Sequence, residues 1–253
     1  KSTDVQMPED GKVYVITNVQ QDGTCYYFSY STSRLSAVSD KTKAAQFVCR
    51  VVDGKYVFVN VEDGKYLVVA AKNNAGTNNG KGYIESYDAK WADLTLSKNS
   101  IFSCFNIGGK RAETGSPQVS YPNTVTFNKV TDVEGVSNLA TFSAPFATVV
   151  PTDVTAYYVS AADNNTATMK AIEAGKAIPA KTGVILTSQS GNTATMVPAT
   201  GETLATITDN KLGNTAGAEK TLKEGDNAYI LSATEGQTAF YKGTVGSTLK
   251  ANK

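Results

Sequence analysis

The sequence predicts an all-β chain organised as two domains, and three observations predict it. Short apolar stretches rich in Tyr, Phe and Val (Val13–Thr17, Tyr26–Tyr30, Tyr56–Val61 and Tyr66–Ala70) are separated by the turn dipeptides Asp22-Gly23, Asp53-Gly54 and Asp63-Gly64. Strand-length runs broken by such dipeptides read as successive hairpins. One pattern also recurs: Tyr14-Val-Ile-Thr-Asn18-Val returns as Tyr56-Val-Phe-Val-Asn60-Val, and more loosely as Phe102-Ser-Cys-Phe-Asn106-Ile. Composition then shifts near residue 130, since 16 of the 23 aromatic residues precede Lys129 while Ala, Thr and Val dominate the second half.

With 253 residues, 41% hydrophobic and 19% charged, each half has enough apolar material to bury a core. Lys and Arg number 24 against 23 Asp and Glu. That balance lacks the electrostatic footprint of a nucleic-acid or anionic-membrane binder, so no nucleic-acid partner is expected. The absence of histidine excludes Ser-His-Asp and Cys-His machinery together with His-based metal sites. Cys25, Cys49 and Cys104 are too few and too dispersed for a thiolate metal site; the expectation is three small apolar core residues. No apolar run reaches the length of a membrane-crossing helix, so no transmembrane segment is expected. The chain begins at Lys1 without methionine, and its vocabulary is rich in Thr, Ser, Asn, Gly and Tyr. Both features suit a protein at the cell exterior or outer-membrane surface after removal of an export signal.

Strand period two places Tyr14, Ile16 and Asn18 on one face, with Tyr56, Phe58 and Asn60, and Phe102, Cys104 and Asn106, as equivalents. The asparagines are 42 and then 46 residues apart, and each precedes a Gly-containing turn. An Asn side chain there bonds local backbone, which is the preferred reading over ligand binding. Three β-rich repeats of this length resemble a β-trefoil, a barrel capped by hairpins with pseudo-threefold symmetry. The second repeat would enter through Ala44–Val51 and the third through Trp91–Lys98, with Val119–Val130 closing the barrel on the first strand. An irregular β-sandwich with similar hairpins is the rival. Helix is expected only over Asp40–Gln46 and Met169–Ala174. The polar stretch Thr131–Asn138 reads as a connection, giving a β-trefoil-like domain over 1–130 and a second domain over 131–253.

The second half carries motifs in a fixed order. They are Ala140-Thr-Phe-Ser-Ala-Pro-Phe146, Val149-Val-Pro-Thr-Asp-Val-Thr-Ala-Tyr157, Ile178-Pro-Ala-Lys-Thr-Gly-Val-Ile-Leu186, Asn210-Lys-Leu-Gly213, Ala228-Tyr-Ile-Leu231, Phe240-Tyr-Lys242 and Leu249-Lys-Ala-Asn-Lys253. With them the segment resembles an accessory module found near the C-termini of exported Bacteroidetes surface proteins. The resemblance, which covers residues 139–253, implies a β-sandwich for the second domain, export and a noncatalytic role, and names no ligand. Physically, Pro145, Pro151 and Pro179 read as strand-edge punctuation, and Gly183 precedes the buried run Val184–Leu186. Phe142, Phe146, Tyr229 and Phe240 alternate with apolar neighbours as core residues do. The family pattern continues past Ala-Asn-Lys with another apolar strand, which raises the expectation of a fragment. The first half more loosely resembles lectin-like trefoils, although the Gln-x-Trp repeats of ricin-type sugar binders are absent.

No residue set forms a catalytic centre, and no cofactor or metal is implied. The acid pairs Glu85 with Asp88 and Glu62 with Asp63 are the nearest to a glycosidase pair, but turn-borne acids are usually solvated. Asp4, Glu9 and Asp10 lack calcium-loop spacing. Gly76–Gly82 lacks a Walker ending and reads as a surface loop. Asn164-Asn-Thr166 is a formal glycosylation sequon. The ligand candidate is the cluster Tyr83, Tyr87, Asp88 and Trp91, where aromatic faces would stack on a sugar or anchor a protein and polar groups would fix orientation. Packing of Tyr83 and Trp91 in the barrel core or its cap is the favoured alternative. The sequence therefore points to a noncatalytic exported protein that binds a glycan or surface protein through its first domain. A purely structural segment and a trefoil-type protease inhibitor presenting Lys110-Arg111 on a loop are the alternatives.

Overall fold

A computed structural model describes residues 7–19, 24–31, 34–68, 83–96, 106–107, 110–117, 124–163, 166–226, 228–234 and 237–252. Its contacts divide the chain into two units, Lys1–Tyr121 and Pro122–Lys253. The first contains β1 (Val13–Val19), β2 (Cys25–Ser31), β3 (Arg34–Val38), a 3₁₀ turn at Lys41–Lys43, β4 (Phe47–Val52), β5 (Lys55–Asn60), β6 (Tyr66–Leu67), β7 (Tyr83–Ile84), the one-turn helix α1 (Ala89–Ala92), β8 (Asn106–Ile107) and β9 (Lys110–Pro117). The chain is almost entirely β, as expected.

β1 is the hub of this unit. It pairs antiparallel with β2 through Thr17–Val19, with β4 through Val13–Tyr14, and with β9 from Tyr14 to Asn18. The apolar face anticipated from period two is present: Tyr14, Ile16 and Phe58 join Phe28, Phe47, Cys49, Leu67, Leu94 and Leu96 in one core, with Tyr56 packed against it. Phe102 and Cys104 lie outside the described residues. Asn60 is buried, and its side-chain oxygen accepts from the N–H groups of Glu62 at 2.8 Å and Asp63 at 3.4 Å. That is the local turn chemistry expected of it. Asn18 sits opposite Tyr26 across the β1–β2 pair, and Asn106 opposite Arg111 across β8–β9.

The cysteines divide. Cys49 is fully buried, and desolvation drives its thiol far above the usual cysteine range, so it stays protonated as a small core residue. Cys25 is only half-buried, against expectation, as the first residue of β2.

The second unit contains β10 (Thr124–Thr126), β11 (Asn128–Lys129), β12 (Asn138–Phe142), β13 (Thr148–Val149), β14 (Val154–Ala162), β15 (Ala167–Ala171), β16 (Val184–Ser188), β17 (Thr193–Thr195), β18 (Val197–Pro198), β19 (Lys220–Thr221), β20 (Tyr229–Thr234), β21 (Gln237–Lys242) and β22 (Thr248–Leu249). Its centre is the sheet β11-β12-β16-β14-β15. All five residues of β16 are buried, as its apolar run foretells, and both neighbours hydrogen-bond along its length. Val130, Leu139, Val159 and Ile185 form a core covered by Val133, Val136, Leu231 and Phe240. The motif prolines 145, 151 and 179 all fall outside the strands.

Four expectations change. Of the segment Val119–Val130, expected to close on β1, the described residues 124–130 pair elsewhere. Among the described residues the strand that pairs with β1 in that way is β9, while β10 pairs with β17 and β11 with β12, and the contact boundary lies upstream of residue 130. The stretch 131–137 is no free connection either: Val133 and Val136 pack on the core, Gln189 donates to the Gly135 carbonyl at 2.6 Å, and Thr238 donates to Asp132 from both its N–H and its hydroxyl. The expected helical window at Met169–Ala174 begins instead within β15, because cross-strand pairing with β14 overrides the helix preference of Met, Lys and Ala. Tyr229, read as core, is 61% exposed at the start of the β20–β21 ribbon.

The Thr238 N–H, then its hydroxyl, hold the Asp132 carboxyl below the ordinary aspartate value of 3.8. A depressed folded-state pKa contributes stability at pH values above the unfolded one and loses it as pH falls through the folded one. An Asp132→Asn variant should therefore melt lower than the parent at pH 6, and the gap should close as pH falls below the ordinary aspartate value and through the lowered one. Thermal melts of both proteins across that range check it; a gap that persists unchanged in acid would contradict the carboxylate's role.

Candidate functional site

The aromatic cluster sits on a turn running from β7 through α1. A four-residue helix is not stable alone, and several contacts build this one. Asp88 caps its start, accepting from the Lys90 N–H at 3.0 Å, while the Trp91 and Ala92 N–H groups donate to the Asp88 carbonyl. The Asp93 N–H returns to the Ala89 carbonyl. The Tyr87 hydroxyl then donates to the Asp93 carboxylate at 2.7 Å, tying the residue before the cap to the residue after the helix. Leu94 exchanges two backbone hydrogen bonds with Tyr56 and is buried in the core, which fixes the turn to β5.

The four candidate residues thus share one structural unit but not one environment. Tyr83 is only 5% exposed, with the Lys65 ammonium 4.6 Å from its ring centre, so its ring packs inward. Tyr87 is half-buried, its ring tilted against Tyr66 with centroids 5.8 Å apart. Asp88 is exposed, and Trp91 is half-buried with the Lys90 ammonium 4.8 Å from its ring centre. The surface members are therefore Tyr87, Asp88 and Trp91. Nothing in the sequence singles out Lys65, where Asp63-Gly64-Lys65 reads simply as a turn. It lies 3.4 Å from Asp63 and 3.7 Å from Glu85. Burial pushes its pKa down, but Asp63, Glu85 and Tyr83 together outweigh that and hold the ammonium above the usual lysine range.

Three of the four acids considered for catalysis, and Asp10 considered for calcium, have other partners. Asp63 accepts from the Lys65 N–H, Glu85 pairs with Lys65 and Asp88 caps α1. Asp10 accepts from the Arg50 guanidinium at 3.0 Å and the Val51 N–H at 2.7 Å. Among the described residues no group of three or more Cys, Asp or Glu is placed to hold a metal ion. Lys110 and Arg111 begin β9 and pair with Ile107 and Asn106, so they are strand residues rather than the tip of a loop. Asp4, Gly76–Gly82 and Asn164-Asn165 lie outside the described residues. Among the described residues no helix is long and apolar enough to cross a membrane.

A groove of about 320 Å³ lies elsewhere, in the second unit, lined by Pro179, Lys181, Gly183, Ile207, Asn210 and Leu212 among others. The sequence motifs Ile178–Leu186 and Asn210–Gly213 flank it, but nothing in their composition announces a cavity. The chain matches no protein-family model, no curated protein and no solved structure.

Proposed function

We propose that the chain is a noncatalytic, exported binding module, its first unit a β-trefoil and its second a β-sandwich accessory module of the kind found in Bacteroidetes surface proteins. It recognises a glycan on the cell exterior through Trp91, with Tyr87 and Asp88 beside it. The observation that carries this reading is the turn Tyr87–Asp93, a short helix capped by Asp88 and tied by Tyr87 to Asp93 that holds a partly exposed tryptophan in place. A pre-ordered aromatic face binds at low entropic cost. The trefoil assignment is supported by the pairings β1–β4, β4–β5, Tyr56–Leu94 and β9–β1, with β2–β3 and β6–β7 as candidate cap hairpins.

The test is a glycan array probed with the whole chain and with Trp91→Ala. The variant should lose array binding while costing about 1–2 kcal/mol in unfolding free energy, below the roughly 3–5 kcal/mol expected of a fully buried tryptophan. An array blank for the parent, or binding kept by the variant, would sink the glycan reading. The full cost without a binding phenotype would make Trp91 a packing residue of a structural segment.

A further inference from the structure

The groove in the second unit has a physical origin. Ala177 and Leu204 form a parallel bridge, in which the Ala177 N–H donates to the Thr203 carbonyl and the Ala205 N–H to the Ala177 carbonyl, both at 2.9 Å. The next rung of a parallel ladder would need an N–H from residue 179 to the Ala205 carbonyl, and residue 179 is proline. The ladder ends there and the groove opens between the two segments. At the far end they meet again. The Asn210 amide donates to the Gly183 carbonyl at 2.9 Å, and a Cβ on Gly183 would lie 1.9 Å from the Gly213 oxygen.

One wall is chemically open. Among the described residues, no backbone or side-chain group of Thr206–Asp209 hydrogen-bonds to another part of the protein. Ile207 and Leu212 line the groove and are partly buried, and Leu204, beside the lining residue Ala205, is 48% exposed. Among the described lining residues Lys181 alone is charged; it is exposed, held in a left-handed conformation at φ 57°, and its backbone N–H donates to the Ala144 carbonyl at 2.7 Å. Main-chain groups with no partner in the protein, beside an aliphatic floor, are what an added strand exploits, and a cationic lining residue favours a carboxylate.

We propose that this groove binds a short extended peptide of another protein. The peptide completes the interrupted ladder with its backbone along Thr206–Thr208, stopping short of Asp209, whose φ of 57° turns the chain away from an extended path; it sets a small aliphatic side chain between Ile207 and Leu212 and places a carboxylate at Lys181.

The experiment is an NMR titration of the whole ¹⁵N-labelled chain with acetyl-valyl-threonyl-valine, as the free acid and as the C-terminal amide. Saturable shifts are expected at the amides of 205–209 and 181–183, with the acid binding about tenfold more tightly than the amide. Lys181→Asn, which keeps a residue tolerant of the left-handed backbone, should erase the difference between the two peptides. Ile207→Thr should weaken both equally. No saturable shift at millimolar peptide, shifts confined to other residues, or equal affinity of acid and amide for the parent would overturn the proposal. So would concentration-dependent shifts of the same amides without peptide, which would make a second copy of this chain the occupant.

Discussion

Replacing Gly183 by alanine is expected to lower the unfolding free energy by about 3 kcal/mol or more, at the upper end of what overpacking costs. The added methyl would sit 1.9 Å from the Gly213 carbonyl oxygen, 3.0 Å from its carbon and 3.3 Å from the Leu212 Cβ. Backbone cannot rotate away as a side-chain tip can, so the segment 210–213 must move. That movement costs the Asn210 bond to the Gly183 carbonyl and disturbs the approach to β16. Gly213→Ala is the matched control: a methyl added there meets nothing within 4 Å, and its effect should stay within about 0.5 kcal/mol. Urea unfolding of the two variants beside the parent decides the matter; equal midpoints for Gly183→Ala and Gly213→Ala would contradict the close approach.

Truncating Phe58 should be comparably severe. Phe58 is fully buried, faces Cys49 across the β4–β5 pair, and lies in the same core as Phe28, Phe47, Leu67 and Leu94. Phe58→Ala is expected to cost about 3–5 kcal/mol, from lost transfer energy and the cavity left behind. Phe58→Leu, which keeps most of the volume, should cost less than about 1.5 kcal/mol. Both are read from denaturant midpoints at constant slope. A loss under about 1 kcal/mol for the alanine variant would mean that the repeat face does not form the core described.

The parts of the fold legible in the sequence are those set by local rules. Alternation over Tyr14–Ile16 and Tyr56–Phe58 revealed the core face, Asp53-Gly54 and Asp63-Gly64 revealed turns, and Asn60 revealed its own backbone bonds. Whatever depended on distant partners was hidden. Polar residues at 131–138 mark a connection by composition, yet Val133 and Val136 are held by residues far along the chain. Met169 suits a helix until β14 supplies a neighbour. Tyr229 alternates like a core residue, but its ribbon pairs only within itself among the described strands, which leaves the first residue uncovered. The aromatic turn was legible as a cluster, and the inward packing of Tyr83 was the favoured reading because large aromatics are generally buried; what was hidden is the Lys65 ammonium over its ring, brought there from a distant turn. The groove was not legible at all. It depends on one missing N–H at Pro179, whose consequence appears only once Leu204 is known to lie alongside Ala177.

The central position of β16 sets a clock on the second unit. Its amide protons are hydrogen-bonded on both sides and sealed on both faces, so solvent deuterium reaches them only when the five-stranded sheet comes apart. Those of β15, an edge strand whose residues are mostly exposed, are released by opening at the rim. The order in which deuterium enters, rim first and β16 last, turns one strand into a gauge of the unit's whole stability.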